Sequence, residues 1–66
     1  MTKNEVKRRV KDIKINADDY EGAHNMEDSL HQDVLRAIAD GAENAAELAK
    51  EALKTKKIGF SRYCGY

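Results

Sequence analysis

His24, Glu27, Asp28 and His31 form the one cluster in this 66-residue chain whose residue types and spacing suit metal chemistry. On a helix, offsets of three, four and seven set these side chains on adjoining turns, near enough for two or three to share an ion. Zinc takes three or four protein ligands, so a further donor would have to come from elsewhere, such as Cys64. The spacing matches neither the two-histidine protease motif nor a zinc finger. The plainer reading makes them polar residues at a helix boundary, with Glu27 and His31 as an i,i+4 pair, and expects no metal or other cofactor.

Cys64 follows Arg62 and Tyr63. A guanidinium beside a thiol favours the reactive thiolate, whereas a lone thiol near a chain end otherwise serves as a small packing residue. His24 or His31 would act as its base only if the tail crosses the helix that carries them. No phosphate-binding glycine loop, nucleophile elbow or catalytic carboxylate pair is visible, and an enzyme is not expected.

Charge supplies the other chemistry. The formal net charge is zero, but the sequence is basic, acidic and basic in turn. Residues 1–14 carry six basic against two acidic side chains, a balance of +4. Residues 18–47 carry nine acidic side chains against Arg36 alone, a balance of −8. Residues 50–66 carry five basic side chains against Glu51, again +4. Lys7, Arg8, Lys11 and Lys14 would suit a phosphate backbone, which needs only clustered cations. The acidic centre would repel that same backbone. Intramolecular pairing, with two basic segments flanking an acidic helix, explains the segregation more simply, although exposed pairs stabilise by only about 0–1 kcal/mol each. A third reading leaves Glu21, Asp28, Asp33, Asp40 and Glu43 open to a basic partner.

These groups need elements to position them. The stretch from Tyr20 to Asp40 has a helical apolar period, since at about 100° per residue Ala23, Met26, Leu30, Val34 and Ala37 share one side. Asp18 or Asp19 is placed to cap its start and Gly41 to end it in a left-handed turn, while Gly22 weakens its first turn enough to move the start toward Asn25. Thr2 and Glu5 have capping-box spacing ahead of a helix over about 3–15 that shows Val6, Val10 and Ile13 on one face. Asn44 and Glu47 repeat that spacing before a third helix over about 45–55, whose apolar side is Ala45, Leu48, Ala49 and Leu53. The tail from Ile58 has no helical period, and Ile58 and Phe60 alternate as in an extended segment that folds back over the bundle.

The expected architecture is therefore an all-α domain over 1–66, three helices closed by an extended C-terminal tail. Its core draws on Val6, Val10, Ile13, Met26, Leu30, Val34, Ile38, Leu48, Leu53, Ile58 and Phe60. So small a core confers modest stability, which leaves a homodimer open. No run of about 18 apolar residues spans a bilayer, and the charged N-terminus is unlike a signal peptide, so no membrane and a cytoplasmic location are expected.

Taken together, Ala23, His24, Glu27, Asp28, Val34, Leu35, Arg36, Phe60, Arg62 and Tyr63 resemble a pattern found in a group of short uncharacterised bacterial and phage proteins. The resemblance covers roughly residues 16–64. It implies a compact cytosolic helical unit of phage or prophage origin, with His24, Glu27, Asp28, Arg62 and Tyr63 in one polar cluster where the tail meets the central helix. The expected function is a small non-catalytic protein-interaction module acting on a host or phage protein, through the acidic face or the edge around His24, His31 and Arg62. The alternatives are a nucleic-acid-associated accessory protein and a metal-binding helical module.

Overall fold

The computed structural model describes residues 1–59. Phe60, Arg62, Tyr63 and Cys64, with most of the expected tail, lie outside the described residues. The elements are α1 (Lys3–Ile15), α2 (Tyr20–Ala39) and α3 (Ala45–Leu53), and α3 tightens into a 3₁₀ turn over Lys54–Lys57. Each helix packs against the other two, so the fold is a small all-α three-helix bundle. Among the described residues no helix is long and apolar enough to cross a membrane.

The helix ends follow from local chemistry. Thr2 Oγ1 accepts from the Glu5 amide at 3.2 Å, satisfying one free donor at the start of α1. Asp19 does the same for α2, accepting from the Gly22 amide at 3.2 Å. That cap fastens the first turn, so α2 begins at Tyr20 and not at Asn25 despite the glycine. At the other end Gly41 takes φ +91°, while the Ala42 amide donates to the Ala37 carbonyl and the Gly41 amide to that of Ile38, both at 3.0 Å. This double closure is the Schellman arrangement, and it needs a residue without a Cβ penalty at the left-handed position. The expected cap of α3 is not made. Asn44 instead donates through Nδ2 to the Met1 carbonyl at 3.3 Å, tying the start of the chain to the start of α3.

The core joins Val6 and Ile13 of α1, Ala23, Leu30 and Val34 of α2, and Leu48 and Ala52 of α3. Val10, Met26, Ile38 and Ile58 pack around it, partly buried. Ile58 takes an extended conformation, as expected where the helical period stops. Leu53 does not join the core and is 61% exposed. The reason is angular. Leu48, Ala52 and Thr55, at i, i+4 and i+7, face inward, and Leu53 lies five positions beyond Leu48, about 140° away around the helix.

Candidate functional site

The four residues with ligand chemistry all sit on α2; His24 and Asp28 stand together, while Glu27 and His31 meet groups from the end of α3 and the turn after it. His24 is buried at the edge of the core, with Nε2 3.6 Å from Asp28 Oδ2 one turn later. Glu27 is buried too, with Lys56 Nζ 4.0 Å from its carboxylate. His31 turns to α3, its Nε2 lying 3.1 Å from Thr55 Oγ1 and 3.3 Å from the Ala52 carbonyl oxygen. Thr55 donates its hydroxyl hydrogen to that same carbonyl at 3.0 Å, so the tautomer with a proton on Nε2 donates to Oγ1. This three-centre lock couples α2 to the end of α3, and it takes the place of the expected pair between Glu27 and His31. Among the described residues no three of His, Cys, Asp and Glu stand where one metal ion would bind them all. Arg62 and Tyr63, expected beside His24, lie outside the described residues.

The acidic face of α2 is partly engaged from within. Arg9 Nη1 donates to Asp33 Oδ2 at 2.8 Å, joining α1 to α2, and Arg36 approaches the other oxygen of the same carboxylate at 3.9 Å. With Lys56 and Glu27, this realises the expected pairing of basic flanks with an acidic centre at one place on each side.

The remaining lysines behave differently. On α1, Lys7, Lys11 and Lys14 follow i, i+4, i+7 spacing and share a face with Val10 to one side, while Arg8 points about 100° away from Lys7. That lysine face borders the seam between α1 and α3. Lys7, Val10, Lys11, Lys14, Ile15, Glu51 and Lys54 line a groove of about 740 Å³ there. A second hollow of about 440 Å³ continues it, sharing Val10, Lys14 and Lys54 and adding Lys57 and Ile58. The two ends of the chain's charge pattern, distant in sequence, therefore meet along one cationic seam with an apolar floor.

Among the described residues Glu51 is the one carboxylate lining this seam, and it is already engaged. Lys54 Nζ donates to Oε1 at 3.0 Å and lies 2.9 Å from Oε2. That hydrogen bond holds the Glu51 carboxyl below its ordinary value of 4.5; burial opposes the shift, and the charges of Lys54, Lys7 and Lys3 reinforce it. Compared with protein-family models, with curated proteins and with solved structures, the chain matches none.

Sequence reasoning singled out Lys7, Lys11 and Lys14 but not the lysines that complete the seam. The available signal was Lys54 and Lys57 at the end of a helix long enough to return beside α1. The burial of Thr55 was legible in principle, because Leu48, Ala52 and Thr55 repeat the spacing of Val6, Val10 and Ile13.

Proposed function

We propose that the chain is a small non-catalytic protein-interaction module whose cationic seam takes an acidic amphipathic segment of a partner protein. The observation that carries this reading is the convergence of Lys7, Lys11, Lys14, Lys54 and Lys57 around Val10, Ile15 and Ile58. Ile15 is 68% exposed, an apolar wall among cations. A partner helix with carboxylates flanking an apolar stripe would satisfy both features, whereas a sugar-phosphate backbone would use only the charge. Contacts within the bundle made by the groups on α2, His31 with Thr55, Asp28 with His24 and Glu27 with Lys56, support the non-catalytic reading. The resemblance to short bacterial and phage proteins fits a phage or prophage origin and a host or phage protein as the target, met in the cytoplasm.

A second reading, nucleic-acid association, is favoured by the same five lysines. The two readings separate in one titration by fluorescence anisotropy. The probes are a labelled helical peptide with leucines on one face and glutamates on its flanks, a scrambled peptide of the same composition, and a short DNA duplex. The interaction reading expects the patterned peptide to bind best, with loss on Lys7→Glu/Lys11→Glu and on Ile15→Asn. Nucleic-acid association expects the duplex to bind best and to weaken roughly 500-fold between about 50 and 200 mM salt, the effect of five phosphate contacts. Equal, weak binding of all three probes would dismiss the seam as a working surface.

A further inference from the structure

The opposite side of α3 carries a surface of contrary character. Leu35 and Leu53, 65% and 61% exposed, stand on the two walls of a groove of about 260 Å³ between α2 and α3. Its lining is completed by His31, Val34, Ile38, Ala49 and Ala52, with no carboxylate, lysine or arginine among them. In a chain that is 36% charged, two leucines left outside a core so small are conspicuous. Exposed Ala39 and Ala46 extend the apolar surface by helical spacing, one turn from Leu35 and one turn from Ala49.

We infer that this face docks a second copy of the chain, with the two α3 helices antiparallel and each Leu53 seated against the groove of the other copy. The charge pattern along α3 selects the occupant and its direction. Glu43 and Glu47 stand exposed at the start of the helix, and Lys50, Lys54 and Lys57 at its end. An antiparallel crossing near Ala49 sets the acidic end of each copy over the basic end of the other, while a parallel crossing opposes like charges. Such a twofold contact is self-complementary in both its apolar centre and its charged rim, as an isologous interface requires. Alanines at 46 and 49 let the helices approach closely, and the four helices from two copies form a bundle. A stable interface covers about 800 Å² per partner, about a sixth of this chain's 4636 Å², which one face of a three-helix bundle supplies. Lys54 and Lys57 also line the seam, so they stand on the edge that the two surfaces share, while Leu35, Leu53 and Ala49 belong to the groove side alone.

The test is sedimentation equilibrium of the full chain from micromolar to millimolar concentration. A monomer–dimer equilibrium is expected, and Leu53→Lys should weaken it at least tenfold while leaving helicity unchanged, because Leu53 is outside the core. Two charge variants, Glu43→Lys/Glu47→Lys and Lys50→Glu/Lys57→Glu, should each be monomeric alone and form a one-to-one pair when mixed. A chain that stays monomeric at millimolar concentration would overturn the proposal. So would a dimer indifferent to Leu53→Lys, or charge variants that fail to pair when mixed. A monomer whose Leu53 groove is occupied only by an added foreign helix also refutes it and assigns the face to another partner. Peptide binding to the seam is read separately on the Leu53→Lys variant, which keeps all five seam lysines, so failure of the dimer and failure of the seam reading are distinguishable.

Discussion

Leu30 and Leu35 lie five residues apart on α2 and have opposite fates, which makes replacing each by alanine the sharpest check on how that helix is set. Leu30 is wholly buried in the cluster with Val6, Ile13, Val34 and Leu48. Truncating such a leucine typically costs about 2–5 kcal/mol, the lost transfer energy plus the cavity left behind. A domain of this length has a total stability of roughly 3–10 kcal/mol, so Leu30→Ala should remove a large share of it. Leu35 keeps only about a third of its surface from water. Its truncation should therefore cost about 0.5–1 kcal/mol, reduced slightly by the better helix propensity of alanine. With a urea m-value of about 1 kcal/mol/M for so small a chain, the midpoints should fall by at least about 2 M for Leu30→Ala and by less than about 1 M for Leu35→Ala. The assay is urea titration followed by circular dichroism at low micromolar protein, where self-association does not contribute. Reversed losses would mean that α2 is rotated by about 140° from the position described, and equal losses a rotation of about half that; in either case the core and both surface arguments would fail together.

Other expectations are equally direct. A double-mutant cycle on Arg9→Met and Asp33→Asn should give a coupling of about 0.5–1 kcal/mol that shrinks as salt is raised, since both side chains are partly exposed. Glu51 has a folded-state pKa below its unfolded value near 4.5, so its ionised form stabilises the fold above that pH, and the contribution is lost as pH falls through the lowered value. Glu51→Gln should flatten that part of the acid-unfolding curve, and Lys54→Met should raise the Glu51 midpoint in an NMR titration. Gly22→Ala should fail to give the usual helix-propensity gain of about 1 kcal/mol, because the new Cβ would meet Asp19 Oδ2 at 2.5 Å and push the cap away. Gly41→Ala, at φ +91°, should cost about 1–2 kcal/mol by thermal or urea melting even though the space around it is open.

Much of the fold was legible because its signals are local. Helix periods, the Thr2 and Asp19 caps and the Gly41 terminator depend on residues within one turn of each other, and each appears where its chemistry demands. Asn44 misled because capping-box spacing states only what a side chain is able to do; a distant acceptor, the Met1 carbonyl, took its amide. Leu53 misled because a nine-residue helix has little period to average, and the two neighbouring helices choose which side is buried. Glu27 and Glu51 were illegible as buried groups, since a carboxylate beside an apolar stripe usually faces water; in the fold Glu51 has Lys54 one turn later on the same helix, and Glu27 has Lys56 brought near it from another element. The site suffers most from this limit. Spacing on α2 left open whether His24, Glu27, Asp28 and His31 share a task, because shared helical position does not fix where flexible side chains end; His31 reaches Thr55 on another element.

The charge blocks show the same limit in a different form. Alternation of basic, acidic and basic segments suggested that opposite charges choose neighbours, yet Arg9 with Asp33 and Lys56 with Glu27 are the contacts between blocks that reach ion-pair distance among the described residues. Exposed pairs are too weak to set the packing of a bundle, and the burial of Val6, Ile13, Leu30 and Leu48 is not. Once the apolar faces have docked, the lysines of α1 fall beside those that follow α3, at a small electrostatic cost that solvent screens. That makes α3 a partition. Glu51 and Leu53 are two residues apart and therefore about 200° apart around the helix, so one looks into the cationic seam and the other stands on the wall of the apolar groove. A second copy covering the groove would leave the α1 side of the seam, with Lys7, Lys11 and Lys14, open, and each assembly would present two such surfaces instead of one. Two weak electrostatic sites held on one particle bind a partner with paired segments far more tightly than either alone, which gives an otherwise modest lysine surface a physical route to useful affinity.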